Sequence, residues 1–175
     1  MKEMKKIILV THGEAERNKP DPKLTKEGRR QMKELKPLVA KKFSHVISGI
    51  GRRHKESCKI VAGRKADFQS EIAGVSETLS SDGTNMIFPD GIRIPVDEYE
   101  KTRYKEIIKR TPLFIKKILK SEQIKGDILV VGGRVVAIGA GFPVQKANSA
   151  CIYHIWLTPT GKIKIKERQM AEQIE

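Results

Sequence analysis

The chain has 175 residues, 38% of them hydrophobic and 32% charged, which is enough apolar sequence for one domain with a substantial core. No apolar window reaches the length needed to span a bilayer, and the basic lead-in Met1–Lys6 opens on only a brief apolar run, so a cytoplasmic protein without membrane contact is expected. The formal net charge of +14 is scattered over lysines from Lys2 to Lys166 with only 5% aromatics, the pattern of a solvated surface and not of a nucleic-acid groove.

In chain order, Ile7-Ile8-Leu9-Val10 is a short, β-branched run that reads as a buried strand of a parallel sheet. It ends abruptly in Thr11-His12-Gly13-Glu14. Ligands of open α/β sheets sit beyond the carboxyl ends of the strands, so a histidine there is a candidate nucleophile. Thr25 is a helix N-cap candidate, with Met32, Leu35, Leu38 and Val39 following at helical spacing and Pro37 bending or splitting the pattern. His45–Ser48 reads as a second strand, and a helix carrying Cys58, Val61 and Ala62 follows the Gly49-Ile50-Gly51 turn. Phe68–Leu79 has room for a third strand. Ser81-Asp82-Gly83, Pro89-Asp90-Gly91 and Pro95 mark an irregular excursion over 80–97.

Asp97 is expected to cap a helix through Tyr104, Ile107 and Ile108, and Thr111-Pro112 to cap a second one over Leu113–Leu119. Asp127–Val131 is another buried strand, ending in Gly132-Gly133-Arg134. A closing hairpin pairs Cys151–Leu157 with Ile163–Ile165 across Thr158–Gly161. Strands alternating with helices predict a single α/β domain over 1–175, a three-layer sandwich around a mostly parallel sheet. The two strand ends at His12 and Gly133 are expected to be neighbours. Cys58 and Cys151 read as reduced core thiols without metal-ligand spacing. Gly132-Gly133 and Gly139-Ala140-Gly141 miss the dinucleotide-binding spacing and lack its βαβ context.

Ile8–Glu14 followed by Asn18, Leu24-Thr25-Lys26-Glu27-Gly28-Arg29-Arg30-Gln31, and Ser48–Ser57 resemble, in order, three motifs of the histidine phosphatase superfamily, the phosphoglycerate-mutase-like proteins. The likeness covers roughly the first third of the chain, and the chain's length is similar to compact phosphohistidine-phosphatase-type members. The resemblance implies a phosphohydrolase without metal or organic cofactor, acting on a phosphorylated small molecule or phosphoprotein through a phosphohistidine at His12. It implies Glu77 as general acid/base, with Arg53 and Asn18 converging on the phosphoryl group.

Two departures stand out. The family's arginine before the nucleophile is Thr11 here, and the family's second histidine falls at Gly133. Arg134, next to that position, is a substitute phosphate ligand, although a guanidinium cannot exchange protons near neutral pH as imidazole does. These departures leave a second reading open: an impaired relative that binds a phosphorylated ligand or partner without turnover. On that view hydrolysis of an aryl phosphate is slow or absent, and Thr11→Arg with Gly133→His raises the rate more than either change alone.

Overall fold

A computed structural model describes residues 4–39 and 42–172; the first three residues of the basic lead-in lie outside it. β1 (Ile7–Thr11) and β7 (Ile128–Gly132) are buried at every position. They pair in parallel, Ile7 opposite Ile128 and Thr11 opposite Gly132. β2 (His45–Ser48) lies on the other side of β7, followed by β3 (Phe68–Gln69). On the far side of β1, the hairpin of β8 (Cys151–Leu157) and β9 (Ile163–Met170) adds antiparallel strands. The sheet order is β3-β2-β7-β1-β8-β9.

Side chains alternate across the sheet, and each face of β1 and β7 enters its own core. Ile8, Val10, Leu129 and Val131 pack with Met32 and Leu35 of α1 (Lys26–Leu35) and with Cys58 and Val61 of α2 (Arg52–Ala62). Ile7, Leu9, Ile128 and Val130 pack with Ile115 and Leu119 of a later helix and with Val136 and Ala137. Helices on both faces make three layers, as expected. Each fully buried Ile, Leu or Val contributes about 1.5–3 kcal/mol, so these paired strands are the main apolar load of the fold.

Four expectations need correction. Leu38 is exposed, because Pro37 stops α1 at Leu35 and the chain continues as a 3-10 turn over Lys36–Leu38. The excursion is ordered: β4 (Thr78–Leu79), β5 (Asn85–Ile87) and β6 (Arg93–Pro95) form a small antiparallel sheet. Asp97 lies inside the first turn of α3 (Val96–Tyr99), whose N-cap is Pro95. Pro112 starts no new helix. α3 passes through one π-turn, Glu100–Tyr104, into α4 (Lys105–Lys120), and Pro112 sits within α4. One residue before it the Thr111 hydroxyl turns back to the Ile107 carbonyl at 2.9 Å, while Pro112 has no N–H to offer the Ile108 carbonyl.

Gly28 tests the packing of α1. A Cβ there would overlap the Glu14 carbonyl, just as one on Gly13 would overlap the Gly28 carbonyl. Helix propensity alone makes Gly28→Ala stabilising by about 1 kcal/mol. The close approach reverses the sign, and destabilisation of about 1–3 kcal/mol is expected from urea denaturation.

Candidate active site

The backbone of His12 is held from both sides. Its N–H donates to the Gly132 carbonyl at 2.8 Å, and its carbonyl accepts from Ala150 N–H at 2.9 Å. The following turn is fastened to the helices. Gly13 N–H donates to Ser57 Oγ at 3.2 Å, and Glu14 N–H donates to Gln31 Oε1 at 2.8 Å. Thr25 caps α1 by accepting from Gly28 N–H at 3.0 Å. The Leu24–Gln31 motif is therefore a support for the His12 loop.

His12 lines a cleft of about 770 Å³. Its Nδ1 lies 2.7 Å from the Gly13 carbonyl oxygen, which only accepts, so Nδ1 carries the proton and Nε2 keeps its lone pair. Burial and then the Arg53 charge lower the pKa of His12 to about 3, with a further contribution from Arg134, while the Gly13 carbonyl opposes the shift. The ring is neutral at ordinary pH.

Arg53, Glu77 and Arg134 share this cleft with His12. Arg53 is 8% exposed, and much of its guanidinium is engaged. Nη2 donates to the Val75 and Glu77 carbonyls at 2.9 Å each, and Nη1 to the Ser76 carbonyl at 3.5 Å. Burial lowers its pKa, against Asp21, Glu77 and Tyr99. Arg53 thus ties down the 75–77 loop while adding positive charge to the cleft wall. Glu77 is 3% exposed, and its Oε1 accepts from Arg103 Nε at 2.7 Å. Arg134 opens the short helix α5 (Arg134–Gly139) and makes no hydrogen bond or ion pair among the described residues.

Asn18 is not brought in. Ala15 bridges Leu24, and Glu16 N–H donates to the Lys23 carbonyl, which turns the intervening residues outward. Asn18 sits exposed on that loop with φ 59°, and its Oδ1 accepts from Arg93 at 3.3 Å. Arg17 is the neighbouring residue that lines the cleft.

Thr11 also faces elsewhere. It is fully buried and outside the cleft lining; its hydroxyl donates to the Asn148 carbonyl and accepts from Cys151 N–H, both at 2.9 Å. An arginine there would enter the core beside β8, not the cleft that His12 lines.

A residue next to Arg53 on a helix is expected to point away from it, yet His54 reaches the cleft. In the structure its ring stands edge-to-face with His12, centroids 5.1 Å apart, and it lines the same cleft. The signal was present as an exchange of sizes: a large residue follows Arg53 while Gly49, Gly51, Gly74 and Gly133 surround the space it enters. Arg103, the partner of Glu77, carried no signal, because π-turn geometry and a loop separated by 26 residues meet only in three dimensions.

Burial pushes Cys58 and Cys151 up to about 11, as suits unreactive core thiols. Among the described residues no cluster of three or more His, Cys, Asp or Glu is arranged to hold a metal ion, and no helix is long and apolar enough to cross a membrane.

The family model described as the histidine phosphatase superfamily (branch 1) matches residues 7–78. No curated protein matches the chain in sequence. Solved structures share its fold at low identity. A phosphoserine phosphatase from Entamoeba histolytica, in complex with 3-phosphoglyceric acid, is 17% identical with a TM-score of 0.63, covering 95% of this chain and 98% of its own. An Escherichia coli protein described as a putative alpha-ribazole-5'-P phosphatase is 16% identical with a TM-score of 0.61, covering 96% and 97%. The protein histidine phosphatase SixA, complexed with tungstate, is 14% identical with a TM-score of 0.59, covering 95% and 96%.

Two measurements check this geometry. Thr11→Val keeps the shape but leaves Cys151 N–H buried without its partner, and a loss of about 1–3 kcal/mol in unfolding free energy is expected. The lowered His12 pKa means that the unfolded chain binds the extra proton first. Stability is complete above the unfolded value of 6.5 and falls as pH drops toward about 3. Wild type should lose on the order of 1 kcal/mol more than His12→Ala between pH 7 and pH 5, and the His12 ring should show no titration by NMR over that range.

Proposed function

We propose that this chain, a compact member of the histidine phosphatase superfamily folded as one domain over 1–175, is a phosphohydrolase that works through a phosphorylated His12. The observation that carries the reading is the held tautomer of His12: Nδ1–H is fixed on the Gly13 carbonyl, which leaves the Nε2 lone pair for the cleft.

In the first step the Nε2 pair forms a bond to phosphorus as the bond to the leaving oxygen or nitrogen breaks, and the leaving atom takes a proton. In the second, water attacks the phosphohistidine, the N–P bond returns its pair to Nε2, and orthophosphate departs. Glu77, buried at the cleft and paired with Arg103, is the carboxylate that exchanges the proton. Arg53 supplies fixed positive field, and the unengaged Arg134 supplies a guanidinium fork for the phosphoryl oxygens. Arg17 replaces Asn18 in that company. The substrate class is a phosphorylated small molecule or a phosphoprotein, in keeping with the named activities of the similar structures.

A second reading, binding without turnover, has its own observation. Gly133 offers no side chain to a phosphoryl group, and Arg53 has committed three N–H groups to backbone carbonyls.

The test is turnover of an aryl phosphate. His12→Ala should reduce it to background. Arg134→Ala should lower kcat/KM by about 10–100-fold, the loss of a hydrogen bond to a charged group. A wild-type rate equal to that of His12→Ala, with phosphate still bound, would favour the second reading.

A further inference from the structure

His54 is 1% exposed, yet its ring lines the cleft rather than closing into the core. Its Nδ1 accepts from Gly51 N–H at 3.1 Å, so in the neutral ring the proton is on Nε2. Nε2 has no hydrogen-bond partner among the described residues.

The backbone around the ring has no side chains to spare. A Cβ on Gly49 would lie 2.6 Å from His54 Cγ, one on Gly51 2.8 Å from Nδ1, and one on Gly74 2.5 Å from Nε2. Gly133 differs. A Cβ there would meet Nε2 at an ordinary 3.8 Å, and its φ of −100° is extended backbone open to any residue. A Cβ at 133 meets no atom closer than 3.8 Å, and the His54 imidazole is among the first groups a longer side chain there would meet.

We propose that His54 supplies the second imidazole of the phosphate cleft, donating Nε2–H to a phosphoryl oxygen held beside His12, from α2 instead of from the turn after β7. The vacancy at Gly133 and the imidazole at position 54 are two halves of one exchange, in which the same space is filled from the opposite wall. The inference rests on the reading that the cleft takes a phosphoryl group, and it names a phosphate-binding residue that the motifs do not contain. Neutral imidazole suits the place, because it donates one hydrogen bond without a permanent charge beside His12. Burial first, then Arg53 and His12, disfavour a proton on the ring, and the charge of a bound phosphate opposes that effect.

His54 also has a structural task, since its Nδ1 receives the N-cap N–H of α2. The experiment has to separate the two. Inorganic phosphate is titrated against wild type, His54→Ala, Gly133→His and the double variant His54→Ala with Gly133→His. Phosphate affinity should fall about tenfold or more in His54→Ala. It should also fall in Gly133→His, where two rings compete for one space. It should return to within a few-fold of wild type in the double variant. Unfolding free energy, which follows the capping bond to Gly51 N–H, should stay lowered in both His54→Ala variants, and a mere capping role leaves the double variant's phosphate affinity as impaired as that of His54→Ala.

A second measurement needs no variant. In wild type labelled with ¹⁵N-histidine, phosphate should shift the Nε2 resonances of His12 and His54 together. The proposal is overturned if wild type binds no phosphate, if His54→Ala binds it unchanged, if the double variant fails to recover, or if only His12 responds. Aryl phosphate turnover, measured in parallel, judges the hydrolase reading by itself: no turnover with the phosphate pattern intact rejects that reading and leaves the role of His54 standing.

Discussion

The parallel register of β1 on β7, with Thr11 opposite Gly132, is the constraint on which the cleft depends. It is locked at its end by the His12 N–H bond to the Gly132 carbonyl. A slip of one residue would exchange the two faces of the strand. Ile7 and Leu9 would trade cores with Ile8 and Val10, and His12 would leave the cleft. Because both strands are buried along their whole length, such a slip draws Lys6 or His12 into a buried strand position, and it fails also on packing shape and on the Gly132 end. There, a Cβ would overlap the Ala73 carbonyl. The apolar pairing and the geometry of the cleft are one feature seen from two ends.

From that register the electrostatics follow. His12 is placed where burial and the Arg53 charge act together, and both disfavour a proton on the ring. Arg53 and Arg134, which add to the effect of burial on His12, also make the cleft attractive to anions. Arg53 does this at little cost in mobility, since its guanidinium is pinned by the carbonyls of Val75 and Glu77. Arg134 is its exposed counterpart, with a side chain unpaired among the described residues. Positive charge is thereby divided between a fixed donor built into the wall and a free one at its rim. The overall charge of +14 adds long-range attraction for anions, screened beyond about 10 Å at ordinary salt.

The loops around the cleft hold each other through main-chain contacts. Gly133 N–H bonds the Ala73 carbonyl, Ile50 N–H the Gly74 carbonyl, and Gly49 N–H the Val131 carbonyl. These segments come from three separate strand ends, and glycine is what lets them approach so closely around the His54 ring. The ion pairs of Arg103 with Glu77 and Glu71 then join the 71–77 segment to the helical run over 96–120. The carboxylate of the cleft is therefore oriented by an element remote from it in sequence.

By itself the amino-acid sequence determined the alternation of strands and helices, the two central strands, the position of His12 at a strand end, and the entry of Arg53 and Arg134 into its neighbourhood. Those features are written in local periodicity and in contiguous motifs, which short-range sterics and burial read out directly. Tertiary structure alone decided the rest. It turned Asn18 outward on a loop whose path depends on the Ala15 bridge to Leu24. It carried the helix through Pro112, where Ile115, Ile118 and Leu119 on the following turns pack into the core. It gave Thr11 to the sheet instead of the cleft, and it brought His54 to His12 across a space bounded by four glycines. In each case the decisive contact joins residues with no periodic relation in sequence. What mattered was volume and hydrogen-bond completion among separate elements, quantities that exist only once the chain has closed on itself.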